Sequence, residues 1–382
     1  MIKTLKAFAL HSPSFAVGIT FMTFSLLFGS WIARLPEVKY ALALSEAQLG
    51  FSLLGMAIGS LIATLIASFL FKYLSTGKAT SYSAFLTCLS FILPIWADSS
   101  FQLFLVLMAI GMADGFLNIA MNTAAASIQH HHRITIMSTC HGFFSLGGMI
   151  GASSSGFIAS AGVPLSVHLV VLASLLFALH LFLRPILQNI PDMPRQEGPT
   201  FALPGKSMVG FVWIGFCIML GEGAVADWSA IYLTDIIGST PLMAGLGFAA
   251  FSFSMAIGRF LGDTVTRRYG PQRIVFGGSL LGAAGMLLVL VVPVSVVVVM
   301  GFFLIGVGFS SIVPILFSAA SKDPSVDTSV GIAAVATGGL AGFLLGPPLI
   351  GFIAEGIGLT FGLTLILLLS LAAALAARNL KW

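Results

Sequence analysis

The sequence predicts an all-α membrane protein of twelve transmembrane helices in two pseudo-symmetric six-helix bundles. Three observations lead there. Of 382 residues, 58% are hydrophobic and 8% are charged, against about 25% charged in an ordinary soluble domain. Apolar runs of the length that crosses a bilayer, about 20 residues, follow one another along the whole chain. Pieces of the first half recur, in order, in the second. A soluble fold of this length could not hide so much apolar surface, so large soluble domains are excluded.

Reading the apolar runs between polar breaks places spans at 14–35, 47–71, 79–97, 101–128, 136–161, 165–184, 207–235, 242–265, 273–293, 295–320, 329–355 and 359–377. The segment 185–206 is the longest polar, proline-rich stretch and reads as a cytoplasmic linker. It separates an N-terminal bundle, 1–184, from a C-terminal one, 207–382. Lys3 and Lys6 precede the first apolar run as in a signal peptide, but no small-residue cleavage site follows, so the first span is read as retained.

The basic residues orient the spans. Lys3, Lys6, Lys72, Lys78, Arg133, Arg184, Arg195, Lys206, Arg267, Arg268, Arg273, Lys322, Arg378 and Lys381, 14 of the 17, fall on one side, only Arg34 and Lys39 on the other, and Arg259 near the inner end of its span. Because positive charge is retained inside, both termini are expected in the cytoplasm of a bacterial inner membrane. The net charge of +4 is spread singly among apolar runs. It forms no stripe of the kind that binds nucleic acid, and membrane lipid is the expected surrounding.

The halves match at several places. Trp31 and Gly50-Phe51 recur as Trp228 and Gly247-Phe248 at an offset of 197, Met56–Gly59 as Met255–Gly258 at 199, and Gly156–Ala159 as Gly351–Ala354 at 195. The ordered matches read as a duplication with small insertions and deletions. Two parallel six-span halves put a solute site at the midplane between them.

Residues that are costly to bury mark candidate function. A charge at a helix centre costs about 2.5–3.5 kcal/mol on insertion scales, and Asp114, Glu222 and Asp227 all fall inside spans. Asp114, Asn118 and Asn122 recur every fourth residue, an acid and two amides along one helix face. Amides supply the donors and acceptors a polyhydroxylated solute needs, while interhelical hydrogen bonding is the structural alternative. His141 has Ser145 one turn on and titrates near neutral pH in its ordinary state, which suits a proton carrier as well as a packing role. Glu222 stands between Gly221 and Gly223, both poor helix formers, so a locally loosened helix is expected there. Five residues separate Glu222 from Asp227, about 140° around a helix, so they share a wall only if span 7 bends.

Trp31 and Trp228 serve either as interface anchors or as platforms for a sugar-like ring. Arg34 either pairs with Glu37 or recruits an anion. Gly338, Gly342, Gly346 and Pro347-Pro348 predict close helix approach and a kink in span 11. The run His130–Arg133 reads as a solvated loop, and Cys88, Cys140 and Cys217 as small buried residues. With no nucleophile–base pair or metal cluster, neither catalysis nor a cofactor is expected.

The segment Gly258-Arg259 through Asp263, Arg267, Arg268 and Gly270 to Arg273, read as the loop after span 8, resembles the conformational motif of the major facilitator superfamily. The first half departs from it, with Thr64 in the place of Asp263. The blocks Phe28–Pro36, Ala120–Asn122, His141–Gly148, Glu222–Trp228 and Gly346–Gly351 are similar to those of MosC/YbjJ-type transporters, distant relatives of the fucose permeases. The resemblance covers nearly the whole chain and implies the twelve-helix fold and a transport role. A glycine–proline pattern like that of span 11 marks drug antiporters, which carry it in span 5.

The expected function is secondary transport of a small polar, sugar- or polyol-like solute by alternating access, as a proton symport driven by the proton gradient, in a monomer. Trp31, Asn118, Asn122, Ser145 and Trp228 are the candidate solute ligands; Asp114, His141, Glu222 and Asp227 the candidate proton carriers. Proton-coupled export of drugs or metabolites is the alternative, raised by 33 Phe and 15 Met that could line an adaptable cavity.

Overall fold

The computed structural model describes residues 8–192, 205, 207–322 and 327–380. Lys3, Lys6, Arg195, Lys206 and Lys381 lie outside that set, as do residues 193–204 of the expected linker. The helices are α1 (Ser12–Ile32), α2 (Leu35–Ala41), α3 (Glu46–Leu70), α4 (Thr76–Ser90), α5 (Ser100–His132), α6 (Met137–Ser160), α7 (Leu165–Gln188), α8 (Val209–Ile231), α9 (Pro241–Tyr269), α10 (Pro271–Val291), α11 (Ser295–Phe309), α12 (Ile312–Ala320), α13 (Thr328–Ile357) and α14 (Leu359–Asn379). Among the described residues, eleven helical stretches are long and apolar enough to cross a membrane. The remaining expected span, α6, has the length, but five glycines and six serines in its 24 residues lower its hydropathy.

Helix ends follow local chemistry. Ser75, Ser99 and Thr240 each accept a hydrogen bond from the backbone N–H three residues on, capping α4, α5 and α9. Gly270 and Gly358 take φ of 84° and 98° to stop α9 and α13. Three expectations are corrected. The basic motif is not a loop: α9 runs to Tyr269 and Gly270 alone makes the turn, because Arg267 and Arg268 suit the negative end of a helix. The histidine run is not a loop either, since α5 continues to His132 and ends at Arg133, φ 55°. The helix is also unbroken at Gly221–Gly223; the irregular turn of span 7 is a π-helix at Tyr232–Ile236.

The chain divides into two compact units, Met1–Leu42 with Ser52–Arg195 and Ala43–Phe51 with Gln196–Trp382. In the first unit α6 packs along α1 backbone to backbone. A Cβ on Gly29 would lie 2.5 Å from Gly148 O, and Gly147 and Gly151 face the carbonyls of Met22 and Leu26. Ser155 Oγ donates to Ser30 O at 2.9 Å and Ser30 Oγ to Gly151 O at 3.2 Å, tying the same seam. The glycines of α6 are thus spent on close approach to α1. In the second unit α13 meets α8 in the same way: a Cβ on Gly342 would stand 2.5 Å from Phe216 O, and one on Gly346 3.5 Å from Leu220 O. The approach expected of span 11 is present, and α13 passes through Pro347 and Pro348 as one helix.

These seams set the register of the duplication. Met22 meets Gly147 as Phe216 meets Gly342, and Met56 meets Gly111 as Phe251 meets Gly306. The paired positions differ by 194 or 195, so the duplication holds with a shift of a single residue. Gly156–Ala159 with Gly351–Ala354 is in register; the matches at 197 and 199 are not. By contact, Arg34 rather than Trp31 corresponds to Trp228, and Thr64 corresponds to Arg259. In a chain built from so few residue types short matches arise by chance, whereas backbone contacts cannot slip.

Candidate functional site

In the first unit the polar face of α5 splits. Asp114 is buried, whereas Asn118 is exposed and Asn122 half-buried. Successive fourth residues drift by about 40° around a helix, enough to turn Asp114 into the bundle while Asn118 stays at its surface. The Thr87 hydroxyl of α4 faces the Asp114 carboxyl. The two stop short of an aligned hydrogen bond: Asp114 Oδ1 and Thr87 Oγ1 are both buried and both unpaired. Asn122 Nδ2 donates to Asn118 O at 2.8 Å and to Asn118 Oδ1 at 3.2 Å. That bond orients both amides and leaves the Asn118 NH2 as a donor and the Asn122 carbonyl as an acceptor.

His141 is half-buried, its ring edge-on to Phe21 at 5.3 Å, and Ser145 is buried one turn further along α6. Trp31 and Trp228 are 1% and 0% exposed, each inside its own unit with its indole N–H unpaired.

In the second unit Glu222 is held opposite a base. Its Oε2 lies 3.9 Å from Arg259 Nη2 of α9, with both side chains largely buried. The glycines beside Glu222 serve packing: a Cβ on Gly221 would come within 2.8 Å of Phe309, and one on Gly223 within 2.8 Å of Phe343. Phe309 and Phe343 are thus seated on the glycines on either side of Glu222. Asp227 is half-buried, and among the described residues it has no hydrogen-bond or ion-pair partner. Gly258 packs on Ser310 and Gly262 on Ser311. Arg267 and Arg268 are exposed at the end of α9, Arg268 lying 5.4 Å over the Tyr269 ring. The side chain of Asp263 lies outside the described set.

The sequence model of the Major Facilitator Superfamily matches residues 14–328. The chain belongs to the Major Facilitator Superfamily. An uncharacterized MFS-type transporter of Yersinia pestis is 30% identical over 369 residues, 96% of each chain. The membrane protein MosC of Rhizobium meliloti is 30% identical over 366 residues, 95% of this chain and 88% of that one. Among solved structures, the nucleoside transporter NupG superposes with a TM-score of 0.72 at 15% identity, covering 95% of this chain and 97% of that one. A D-xylose-proton symporter gives 0.73 at 14% identity, covering 96% and 98%. The chain is an MFS transporter and a multi-pass membrane protein, in the branch its sequence blocks indicated.

In this MFS chain three partners escaped the sequence reading. Arg259 was read only as part of the basic motif. Its pairing with Glu222 spans 37 residues from one helix to the next, and no spacing rule reaches so far. Nothing in the sequence sets Thr87 apart from the other small polar residues of span 3. The third is a cage around Arg34, which is 1% exposed. Arg34 Nη2 donates to Val163 O at 2.7 Å, and its Nε approaches Glu37 Oε2 at 2.7 Å, the pairing the sequence offered. Glu37 Oε1 in turn accepts from Leu165 N at 3.3 Å, so Arg34 ties the end of α1 to the turn between α6 and α7.

Proposed function

We propose that this chain is a proton-coupled symporter that imports a small uncharged polar solute, sugar- or polyol-like, by alternating access. The observation that carries the reading is Glu222 facing Arg259 at 3.9 Å inside the second unit. An ionisable pair inside a membrane span is costly and is kept where it works. Arginine stays charged at any physiological pH, whereas a glutamate can exchange its proton. The pair therefore has a neutral state, with Glu222 ionised, and a singly positive one, with Glu222 protonated. Such a pair can trade one proton per cycle. The amides of Asn118 and Asn122 carry no charge, which suits hydroxyl groups better than an ionic solute.

Asp114, Asp227 and His141 are further proton carriers in this reading. The basic-residue asymmetry supports an inner-membrane location with both termini cytoplasmic. The transporter needs no cofactor beyond the proton gradient and works as a monomer.

The test is a thermal-shift screen of sugars, polyols, nucleosides, amines and organic acids on the purified protein, followed by uptake of each hit into proteoliposomes. Hits confined to amines or acids would contradict the solute class. A second reading, proton-coupled export, is supported by the 33 Phe and 15 Met. It requires a hit to leave, rather than enter, vesicles with an acidic exterior.

A further inference from the structure

The sharpest polar arrangement outside the solute and proton groups lies where α1 begins and α5 ends. His11 immediately precedes α1 and acts as its N-cap: Nδ1 accepts from Ser14 N at 3.4 Å and lies 2.7 Å from Ser14 Oγ. A helix start leaves backbone N–H groups without partners, and a side-chain acceptor there stabilises it. Imidazole can accept at Nδ1 only while that nitrogen is bare, so the capping ring is neutral with its proton on Nε2. The ring of His132, last residue of α5, lies 4.6 Å away, centroid to centroid.

We propose that His11 and His132 form a proton-operated latch between the start of α1 and the end of α5, closed while His11 is neutral and released when His11 is protonated. The two rings stand at opposite helix poles. The C-terminal end of α5 favours a cation at His132, and the N-terminal end of α1 disfavours one at His11. A proton on His11 would occupy Nδ1, remove the cap, sit at the positive pole of α1 and face the ring of His132.

Burial, and next the charge of His132, hold His11 below its ordinary value of 6.5. With the folded value lowered, the latch is intact above about pH 6.5 and is lost as pH falls through the lowered value. Among the described residues His132 is the titratable group that faces His11. His131 turns instead to Ser127, Nδ1 lying 3.0 Å from Ser127 O, and His130 packs on His131 at 5.0 Å.

Release would reach further than one cap. His11 N donates to Phe8 O at 3.3 Å, and that turn seats Phe8 over Gly18 and against Phe143 of α6 at 5.3 Å. The helices joined here, α1, α5 and α6, carry Asn118, Asn122 and His141. If this end faces the cytoplasm, a symporter that brings protons in would loosen its own first unit when the interior turns acid.

Hydrogen–deuterium exchange of the full-length protein, corrected for the intrinsic pH dependence of exchange, tests the latch on the amides of residues 12–16. The wild type is expected to exchange about tenfold faster at pH 5 than at pH 7.5. His11→Asn, which caps without titrating, is expected to stay protected at both, and His132→Gln, which removes a charge that lowers His11, to move the transition to higher pH. Equal pH profiles for wild type and His11→Asn, or an unmoved transition in His132→Gln, would overturn the proposal.

Discussion

Glu222 and Arg259 face each other at 3.9 Å across α8 and α9, while the corresponding positions of the first unit, Phe28 and Thr64, carry no charge. The duplicated scaffold therefore carries this particular charge pair in the second unit and uncharged residues at the matching positions of the first. The complementary asymmetry sits one seam away. Asp114 faces Thr87 in the first unit, and in the second those positions are Phe309 and Gly282, where a Cβ on Gly282 would collide with the Phe309 ring. One seam is an acid with a hydroxyl; its counterpart is an aromatic ring seated on a glycine.

Asp114→Asn is expected to keep the fold, because an amide is nearly isosteric with the buried carboxyl, and to abolish any contribution of this acid to proton coupling. Thr87→Val is expected to be neutral or to stabilise by up to about 1 kcal/mol, because it removes a buried hydroxyl that lacks an aligned partner. Thermal unfolding in detergent and solute-dependent proton uptake measure the two effects separately. Stability lost in Asp114→Asn without any change in coupling would assign Asp114 to packing.

The glycine seams give a sharper stability contrast. Gly342→Ala places a Cβ 2.5 Å from Phe216 O and must push α13 off α8, with an expected loss of about 1–3 kcal/mol for overpacking. Gly356→Ala, in the same helix with open space around it, is expected to be neutral or to gain up to about 1 kcal/mol from helix propensity. Melting temperatures of the two variants, measured side by side, check the packing.

Arg34 and Glu37 should differ in spite of being partners. Removing the guanidinium in Arg34→Ala leaves Val163 O without its donor, with an expected cost of about 3 kcal/mol for breaking a buried charged contact. Glu37, with a side chain 44% exposed, is expected to cost under about 1 kcal/mol as Glu37→Gln. Arg34→Lys should rescue little, since a single ammonium cannot reach both Val163 O and the carboxylate.

Much of this was legible in the sequence for a physical reason. Spans are written in composition, so their number and rough limits followed from where apolar runs stop. The close approach of span 11 followed from glycines spaced by four. What could not be read were relations between helices. The register of the halves rests on which carbonyl each glycine touches, and the partner of Glu222 depends on how α8 and α9 rotate. Asp114 and Asn118 share a face by spacing alone, yet the drift of that face buries one and exposes the other. Gly221 and Gly223 suggested a broken helix, but seats for Phe309 and Phe343 explain them.

The most direct measurement of the central claim uses vesicles loaded with a pH-sensitive dye and carrying either wild type or Glu222→Gln. A transported solute from the binding screen is added outside, and lumenal pH is followed. Wild type is expected to acidify the lumen in step with uptake, and Glu222→Gln to bind the solute with similar affinity yet acidify at least tenfold more slowly. Acidification by Glu222→Gln at the wild-type rate would contradict proton coupling through the Glu222–Arg259 pair.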